Sequence, residues 1–133
     1  MELDKVTHDI RVLLADDQAK VRSALRLLLA EHPEIEIMGE AVDTTGLLDW
    51  VKAACPDLVL LDWELPGLRP ETILSLLHGR CPRLRVIALS SRPEASEAAL
   101  DAGADAFVSK GDPPEELLVA IQEINGKDHG TDV

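Results

Sequence analysis

The chain has 133 residues and a net charge of −12, from 13 basic and 25 acidic side chains. This length fits one domain, and 46% hydrophobic with 29% charged residues fits a folded globular protein rather than a disordered one. A domain this acidic would be repelled by phosphate backbones, so we expect no direct nucleic-acid binding. The start lacks a signal-peptide layout, and no apolar run approaches the roughly 18 residues that span a bilayer. We therefore expect a cytoplasmic protein without a membrane partner.

Three X-Pro steps, at Pro33, Pro56 and Pro82, each follow a helix-like stretch and precede a charged residue and then apolar residues. Proline cannot continue a helix and disfavours the helical conformation of the residue before it, so each step predicts the end of a helix and the start of a strand. In chain order we predict a strand at 10–15, helix 19–31, strand 35–41, helix 44–54, strand 57–62, helix 70–79, strand 84–90, helix 94–102, strand 105–109 and helix 113–125. This alternation predicts an α/β fold.

The pattern of apolar residues in each strand predicts its place in a parallel sheet. Residues 11–15 and 58–61 are almost continuously apolar, as central strands covered on both faces should be. Residues 35–37 alternate, as an edge strand should. We expect the first and third strands side by side at the centre of a five-stranded sheet, with a ligand site beyond the carboxyl ends of the strands.

Local signals mark helix ends. Asp112 is a candidate N-cap for a helix whose first position is Pro113, and Gly103 and Gly126 stand where helices should stop.

The two cysteines are Cys55 and Cys81. Two cysteines do not make a disulfide framework, and they fit a reduced cytosolic protein as well as an oxidised one. With no other cysteine nearby, they are a poor zinc site.

Polar residues gather at the predicted carboxyl ends of the strands: Asp16, Asp17, Asp62, Ser90 and Lys110. Each has an ordinary explanation alone, because Asp17 can cap a helix and Asp62 can begin a turn. Bringing the three aspartates together costs free energy, since two like charges about 4 Å apart repel by ~4 kcal/mol at an effective dielectric of about 20. Mg²⁺ (or Mn²⁺) would relieve that repulsion. Carboxylates, a hydroxyl and an ammonium around a metal describe a phosphoryl site.

This set of residues, with Pro66-Gly67 after Asp62 and with Phe107 before Lys110, resembles the receiver domain of two-component response regulators. The resemblance covers residues 9–126, leaving 1–8 as an N-terminal extension and 127–133 as a polar tail. Segments such as 38–41 and 101–105 resemble the LuxR/NarL branch. The resemblance implies a doubly wound, flavodoxin-like and CheY-like (βα)5 fold with strand order 2-1-3-4-5.

It also implies roles for single residues. Asp62 would accept a phosphoryl group from a sensor histidine kinase, with Lys110 and Ser90 contacting the phosphoryl oxygens. Asp16, Asp17, Asp62 and the backbone carbonyl of Glu64 would bind the metal, and Ser90 with Phe107 would form the switch. Such a domain is a signalling switch, catalysing only its own phosphoryl transfer and dephosphorylation. Its further partners would be a downstream protein or an output domain absent from this chain, and a phosphorylation-sensitive homodimer.

Two departures from the family pattern leave alternatives open. Ser90 and Lys110 are 20 residues apart, two fewer than usual, which allows a receiver-fold binding module that works without phosphorylation. Glu64 stands two residues after Asp62, and we expect its charge to affect the lifetime of phospho-Asp62. The Asp62-Trp63-Glu64 run also distantly resembles small aspartate-nucleophile phosphatases.

Overall fold

The computed structural model describes residues 10–130, and their side chains as far as 126; the predicted extension 1–8 and the last residues of the predicted tail lie outside this range. The elements are β1 (Ile10–Ala15), α1 (Ala19–Leu29), β2 (Ile35–Ala41), α2 (Thr44–Ala53), β3 (Leu58–Asp62), α3 (Pro70–Arg80), β4 (Arg85–Ser90), a 3-10 turn (Pro93–Ala95), α4 (Ser96–Asp101), β5 (Ala106–Ser109) and α5 (Pro114–Gly130). None of the helices between residues 10 and 130 combines the length and apolar character needed to cross a bilayer.

All neighbouring strands pair in parallel, in the order β2-β1-β3-β4-β5. This confirms the predicted doubly wound sheet with β1 and β3 at its centre. The register sets Ala15 beside Leu61, and Ser90 beside Ser109. The carboxyl ends of the central strands therefore meet at one edge of the sheet.

Alternate residues of the central strands enter two separate cores. Leu13 and Leu61 belong to the core that contains residues of α2, α3 and α4, whereas Leu14 and Leu60 belong to the core that contains residues of α1 and α5. All four side chains are almost completely buried. Burial on both faces explains the continuous apolar runs, because each strand supplies side chains to both layers.

The edge strand β2 is irregular. Its pairing with β1 steps from Ile37 to Gly39 without a partner for Met38, which is a β-bulge. The Trp50 ring of α2 occupies the space where a Cβ on Gly39 would stand. The Trp50 indole N–H donates to the backbone carbonyl of Glu40 at 3.0 Å. Glycine is therefore required where the tryptophan lies against the strand.

Three local predictions are corrected. The helix predicted at 94–102 is a 3-10 turn followed by α4, which has six residues and is the shortest α-helix of the described chain.

Helix α5 begins at Pro114. The Asp112 carboxylate accepts from the backbone N–H of Ser109, so Asp112 closes the preceding loop instead of capping the helix. Gly126 does not end α5, which continues to Gly130. A glycine inside a helix costs only about 1 kcal/mol. Gly103 follows α4 with a φ of 114°, as a helix stop should.

The cysteine prediction is also wrong: Cys55 and Cys81 form a disulfide, with their Cα atoms 5.9 Å apart. They are 26 residues apart in sequence. Each is the residue before the proline of an X-Pro step, and these two steps lead into the adjacent strands β3 and β4. Sheet order therefore brings together two residues that sequence spacing separates.

Candidate functional site

Three carboxylates gather at the carboxyl ends of β1 and β3. Asp16, Asp17 and Asp62 each offer an oxygen within 4.8 Å of the others. Asp16 and Asp62 are buried, at 1% and 3% exposure, and Asp17 is exposed. The N-cap position of α1 is held by Gln18, whose N–H donates to Asp16 at 2.9 Å. Asp17 therefore has no capping duty that would explain its place.

Lys110, in the loop after β5, completes the cluster. Its Nζ lies 2.8 Å from Asp16 Oδ2 and 3.4 Å from Asp62 Oδ1. Burial opposes the charge on Lys110, but the close contact with Asp16 and the charges of Asp62 and Asp16 together raise the lysine pKa. Burial raises the pKa of Asp62, and the nearby Asp16 charge adds to it. The backbone N–H of Glu64 and the Lys110 ammonium act in the opposite direction. One ammonium against three carboxylates leaves the site negative.

The residues fit a hard divalent cation. Asp16 Oδ2 is buried and makes no aligned hydrogen bond, and the ion pair with Lys110 is its contact in the described part of the chain. The donor set is entirely carboxylate oxygen, which suits Mg²⁺ or Mn²⁺ and not a soft metal. The exposed Asp17 leaves one side of the cluster open to solvent.

Ser90, fully buried at the end of β4, has a partner that the sequence did not predict. Its hydroxyl donates to the Glu64 carboxylate, with distances of 2.9 and 3.1 Å to the two oxygens. Arg92 pairs with the same carboxylate at 2.8 Å, and its backbone N–H donates to Ser90 Oγ at 3.0 Å. We call these three residues the Glu64 clasp. Sequence reasoning missed Arg92, because nothing in the chain marks which acid it meets.

Two further contacts fix the backbone around the cluster. The Arg22 guanidinium donates to the backbone carbonyl of Asp16 at 2.9 Å and pairs with Glu40 at 2.7 Å. On the other side, Thr44 Oγ1 accepts from the N–H of Leu68 at 3.0 Å and so ties the loop after Asp62 to the start of α2. Arg22 and Thr44 were not predicted, since their roles depend on which loops meet.

Phe107 lies on β5 beside Ala88, partly buried against the core of α2, α3 and α4. The predicted site residues thus fall into two groups: the cluster itself with Lys110, and Ser90 with Phe107 on the neighbouring strands.

An open parallel sheet with an acidic cluster at its carboxyl edge is the architecture of receiver-type signalling domains. The profile of the family described as "Response regulator receiver domain" matches residues 12–122, and the chain belongs to that family. This confirms the resemblance seen in the sequence.

Relatives fall in more than one branch. The chain is 32% identical to the nitrate/nitrite response regulator protein NarL of Escherichia coli K12, covering 84% of this chain and 53% of that protein. It is 39% identical to a protein-glutamate methylesterase/protein-glutamine glutaminase of Rhodopseudomonas palustris, covering 89% of this chain and 33% of that protein. The chain thus spans between a third and about half of these relatives' lengths.

Solved structures agree with the fold. A LuxR-family two-component response regulator from Aurantimonas superposes with a TM-score of 0.80 at 27% identity, covering 89% of this chain and 86% of that one. The response regulator domain of Thermotoga maritima CheB gives 0.77 at 28% identity, covering 88% and 96%. The expected CheY-like fold and the likeness to the LuxR/NarL branch are confirmed.

Proposed function

We propose that this receiver domain is a phosphorylation switch that takes a phosphoryl group on Asp62 from a phosphohistidine of a sensor kinase. The observation that carries the proposal is the meeting of Asp16, Asp17 and Asp62 within 4.8 Å, with the Lys110 ammonium against two of them. A metal or a phosphoryl-binding role would offset the repulsion among these like charges, two of which are buried.

In the transfer step an Asp62 carboxylate oxygen attacks phosphorus, and the bond from phosphorus to the donor breaks. The donor leaves with its electron pair, so a phosphohistidine that is protonated on its other ring nitrogen departs as neutral imidazole. The Lys110 ammonium neutralises charge on the phosphoryl oxygens. Ser90 can donate its hydroxyl to the same oxygens only by leaving Glu64, which gives the switch two states.

Asp16, Asp17, Asp62 and the Glu64 carbonyl would hold Mg²⁺ or Mn²⁺, which would neutralise charge on the phosphoryl oxygens during transfer. The fit rests on the oxygen donors and on the buried Asp16 oxygen that lacks an aligned hydrogen bond.

Intact-protein mass spectrometry after incubation with acetyl phosphate tests the proposal. We expect one added phosphoryl group in the presence of Mg²⁺, and none with chelator or in Asp62→Asn. Asp105→Asn is the matched control, because that exposed carboxylate accepts from the Val86 N–H at the opposite end of β4.

A folded protein that takes up no phosphoryl group and binds no Mg²⁺ would contradict the proposal and favour the phosphorylation-independent binding module. The phosphatase alternative needs Glu64 free to act as an acid. Its carboxylate is instead shared by Ser90 and Arg92, which argues against that role.

The remaining assignments belong to the same proposal. We place the domain in residues 9–126, in the cytoplasm, with a sensor histidine kinase upstream and a downstream protein or output domain as the receiver of the signal. Nucleic acid would be contacted only through such an output domain, since the chain carries a charge of −12.

A phosphorylation-sensitive homodimer is part of the proposal. A cavity of about 350 Å³ between α1 and α5, lined by Leu25, Leu28 and Leu117, supports pairing through those helices. Exposed Leu100 and Val119, each 48% exposed, support pairing through α4 and α5. We expect the sedimenting mass to change when a phosphoryl mimic is added; one mass in both conditions would contradict the homodimer.

A further inference from the structure

We propose that the Cys55–Cys81 pair is a thiol-exchange site, at which an anionic low-mass thiol of the glutathione type is joined reversibly to Cys55. The pair lies at the amino ends of β3 and β4, and the carboxylate cluster lies at the carboxyl ends of β1 and β3. The inference is therefore independent of phosphorylation.

The two cysteines differ in their exposure to solvent. Cys55 is exposed, in the loop between α2 and β3. Cys81 is only 3% exposed and belongs to the core beneath α2 and α3. Both residues line a cavity of about 250 Å³ at the surface, together with Pro82 and Arg83. A small thiol can therefore enter beside the bond, and the exposed Cys55 is the residue that can carry an added group.

The charge around the pair is opposite to that of the protein as a whole. The Arg11 guanidinium donates to the Cys55 carbonyl at 2.7 Å, and the Arg80 guanidinium to the Lys52 carbonyl at 2.9 Å. Arg83 lines the cavity. The acid in the cavity wall, Asp57, accepts from the Arg11 backbone N–H at 2.7 Å.

Three arginines around one acid favour an anionic thiol. In a chain of net charge −12, this local cluster of positive charge favours the approach of an anionic thiol over a cationic one.

The exchange balances without a further reactant. A thiolate attacks the Cys55 sulfur, a bond from that sulfur to the incoming one forms, and the bond to Cys81 breaks. Cys81 leaves as a thiolate and takes a proton. A second thiolate then attacks the incoming sulfur and releases Cys55, so two thiols become one disulfide while the protein gains two electrons and two protons.

Single-cysteine variants test the asymmetry. We expect Cys81→Ser, incubated with glutathione disulfide, to gain one glutathione on Cys55 by mass spectrometry. Folded Cys55→Ser should gain it at least tenfold more slowly on the buried Cys81, and at an equal rate in denaturant. Equal rates in the two folded variants, checked by circular dichroism, would overturn the proposal.

The unaltered protein supplies a second measurement that needs no folded variant. Loss of the disulfide is timed with glutathione and with cysteamine, which carries the opposite charge. We expect the rate ratio to favour glutathione several-fold at low salt, and to collapse in high salt and in Arg80→Gln/Arg83→Gln. Cleavage only after denaturation, or a ratio insensitive to salt and to these variants, would refute the site. Phosphorylation of Asp62 should be measurable whichever result is found.

Discussion

At the residue scale, the Glu64 clasp gives the buried Ser90 hydroxyl a negatively charged acceptor within the protein itself. Glu64 shares its carboxylate between Ser90 and Arg92, at 2.9 and 2.8 Å. A phosphoryl group on Asp62 would present oxygens of the same charge to the same hydroxyl. Under the proposed function, the carboxylate and the phosphoryl group therefore compete for Ser90, and the clasp favours the unphosphorylated state.

Replacing Glu64 by glutamine should speed phosphorylation by acetyl phosphate about fivefold. The change removes a negative charge that repels an anionic donor, and a repulsion of ~1 kcal/mol corresponds to that factor. The rate is measured by quenched mass spectrometry. Glu94→Gln, an equal loss of charge in the adjacent 3-10 turn, should change little. Equal rates for wild type and Glu64→Gln would show that the clasp does not oppose phosphorylation.

The same Glu64→Gln protein tests whether this charge sets the lifetime of phospho-Asp62. Its phosphoryl group should decay at a rate different from that of wild type once the donor is removed. An unchanged decay rate would remove Glu64 from any role in dephosphorylation.

Gly67, in the loop after Asp62, has a φ of 121°, and a Cβ there would collide with Thr44. We expect Gly67→Ala to lower the free energy of unfolding by about 1–3 kcal/mol, because both backbone strain and the collision oppose alanine. Urea denaturation measures the loss. Gly79→Ala is the matched control: it lies in α3 with open space around it and should stabilise the protein by up to about 1 kcal/mol. Equal effects at the two positions would contradict the tie between Thr44 and this loop.

At the scale of elements, α1 is joined to β2 by one acid and two arginines. Glu40 on β2 pairs with Arg22 at 2.7 Å and also with Arg26. The hydrogen bond from Arg26 is the largest influence on the pKa of Glu40 and lowers it. Burial comes next and raises it, and the hydrogen bond from Arg22 with the charges of both arginines brings the net shift below the ordinary value. Since Arg22 also holds the Asp16 carbonyl, this network connects the edge strand to the start of the carboxylate cluster.

Glu40→Gln should destabilise the protein by about 1 kcal/mol at pH 7, the usual upper range for partly exposed ion pairs. A carboxyl with a lowered folded pKa contributes stability above its unfolded pKa and loses it as the pH falls. The difference between wild type and Glu40→Gln should therefore shrink below about pH 4.3, the ordinary glutamate pKa. Urea midpoints at several pH values measure it. Glu36→Gln, on the same strand, is the control; a Glu40 effect that is constant from pH 7 to pH 3.5 would contradict the ion-pair explanation.

Most elements follow from short-range signals, because the X-Pro steps and the apolar runs fix where helices end and strands begin. The segment between Ser90 and β5 is the exception. Its sequence suits a helix over 94–102, but Pro93 starts a 3-10 turn and only six residues remain for α4. Which of these local structures forms depends on how Ala95 and Ala99 enter the core, which the sequence alone does not specify.

At the scale of the whole molecule, the disulfide closes a loop that contains α3 and β3. Reduction should lower the free energy of unfolding by about 3.5 kcal/mol, from the chain-entropy relation for 26 residues of separation. Urea denaturation with and without reductant measures this loss. The Cys55→Ser/Cys81→Ser variant should be insensitive to the reductant. A wild-type protein equally stable in both conditions would mean that the pair does not stabilise the folded state.

Metal binding should also appear in global stability. Mg²⁺ at 100 times its dissociation constant would stabilise the folded state by about 2.7 kcal/mol, so the thermal midpoint should rise with Mg²⁺ and fall with chelator. Asp17→Asn should raise the midpoint without metal, since it removes repulsion, and should abolish most of the Mg²⁺ increment. An Asp17→Asn protein that responds to Mg²⁺ like wild type would exclude Asp17 as a ligand.

Strand order and the acidic cluster could be predicted because parallel topology brings strand ends together whatever the loops do. The same sheet order brings Cys55 and Cys81 together, because they lie just before the adjacent strands β3 and β4, although the sequence does not show that they are bonded. The pairing of Ser90 with Glu64 could not be predicted, because it depends on the loop after β3, and loop geometry is decided by packing rather than by periodicity. The sequence thus carried the residue types of the site but not the state in which Ser90 is held.

The tryptophan over Gly39 has a consequence for growth of the sheet. An edge strand offers unpaired backbone groups to a strand of another chain, which is a route to aggregation. On β2 the Glu40 carbonyl already accepts a hydrogen bond from the Trp50 indole. The bulge at Met38 also breaks the regular spacing of backbone groups that an added strand would need. A foreign strand could pair along this end of β2 only after the indole had left the carbonyl, so the same side chain that packs α2 onto the sheet also protects its edge.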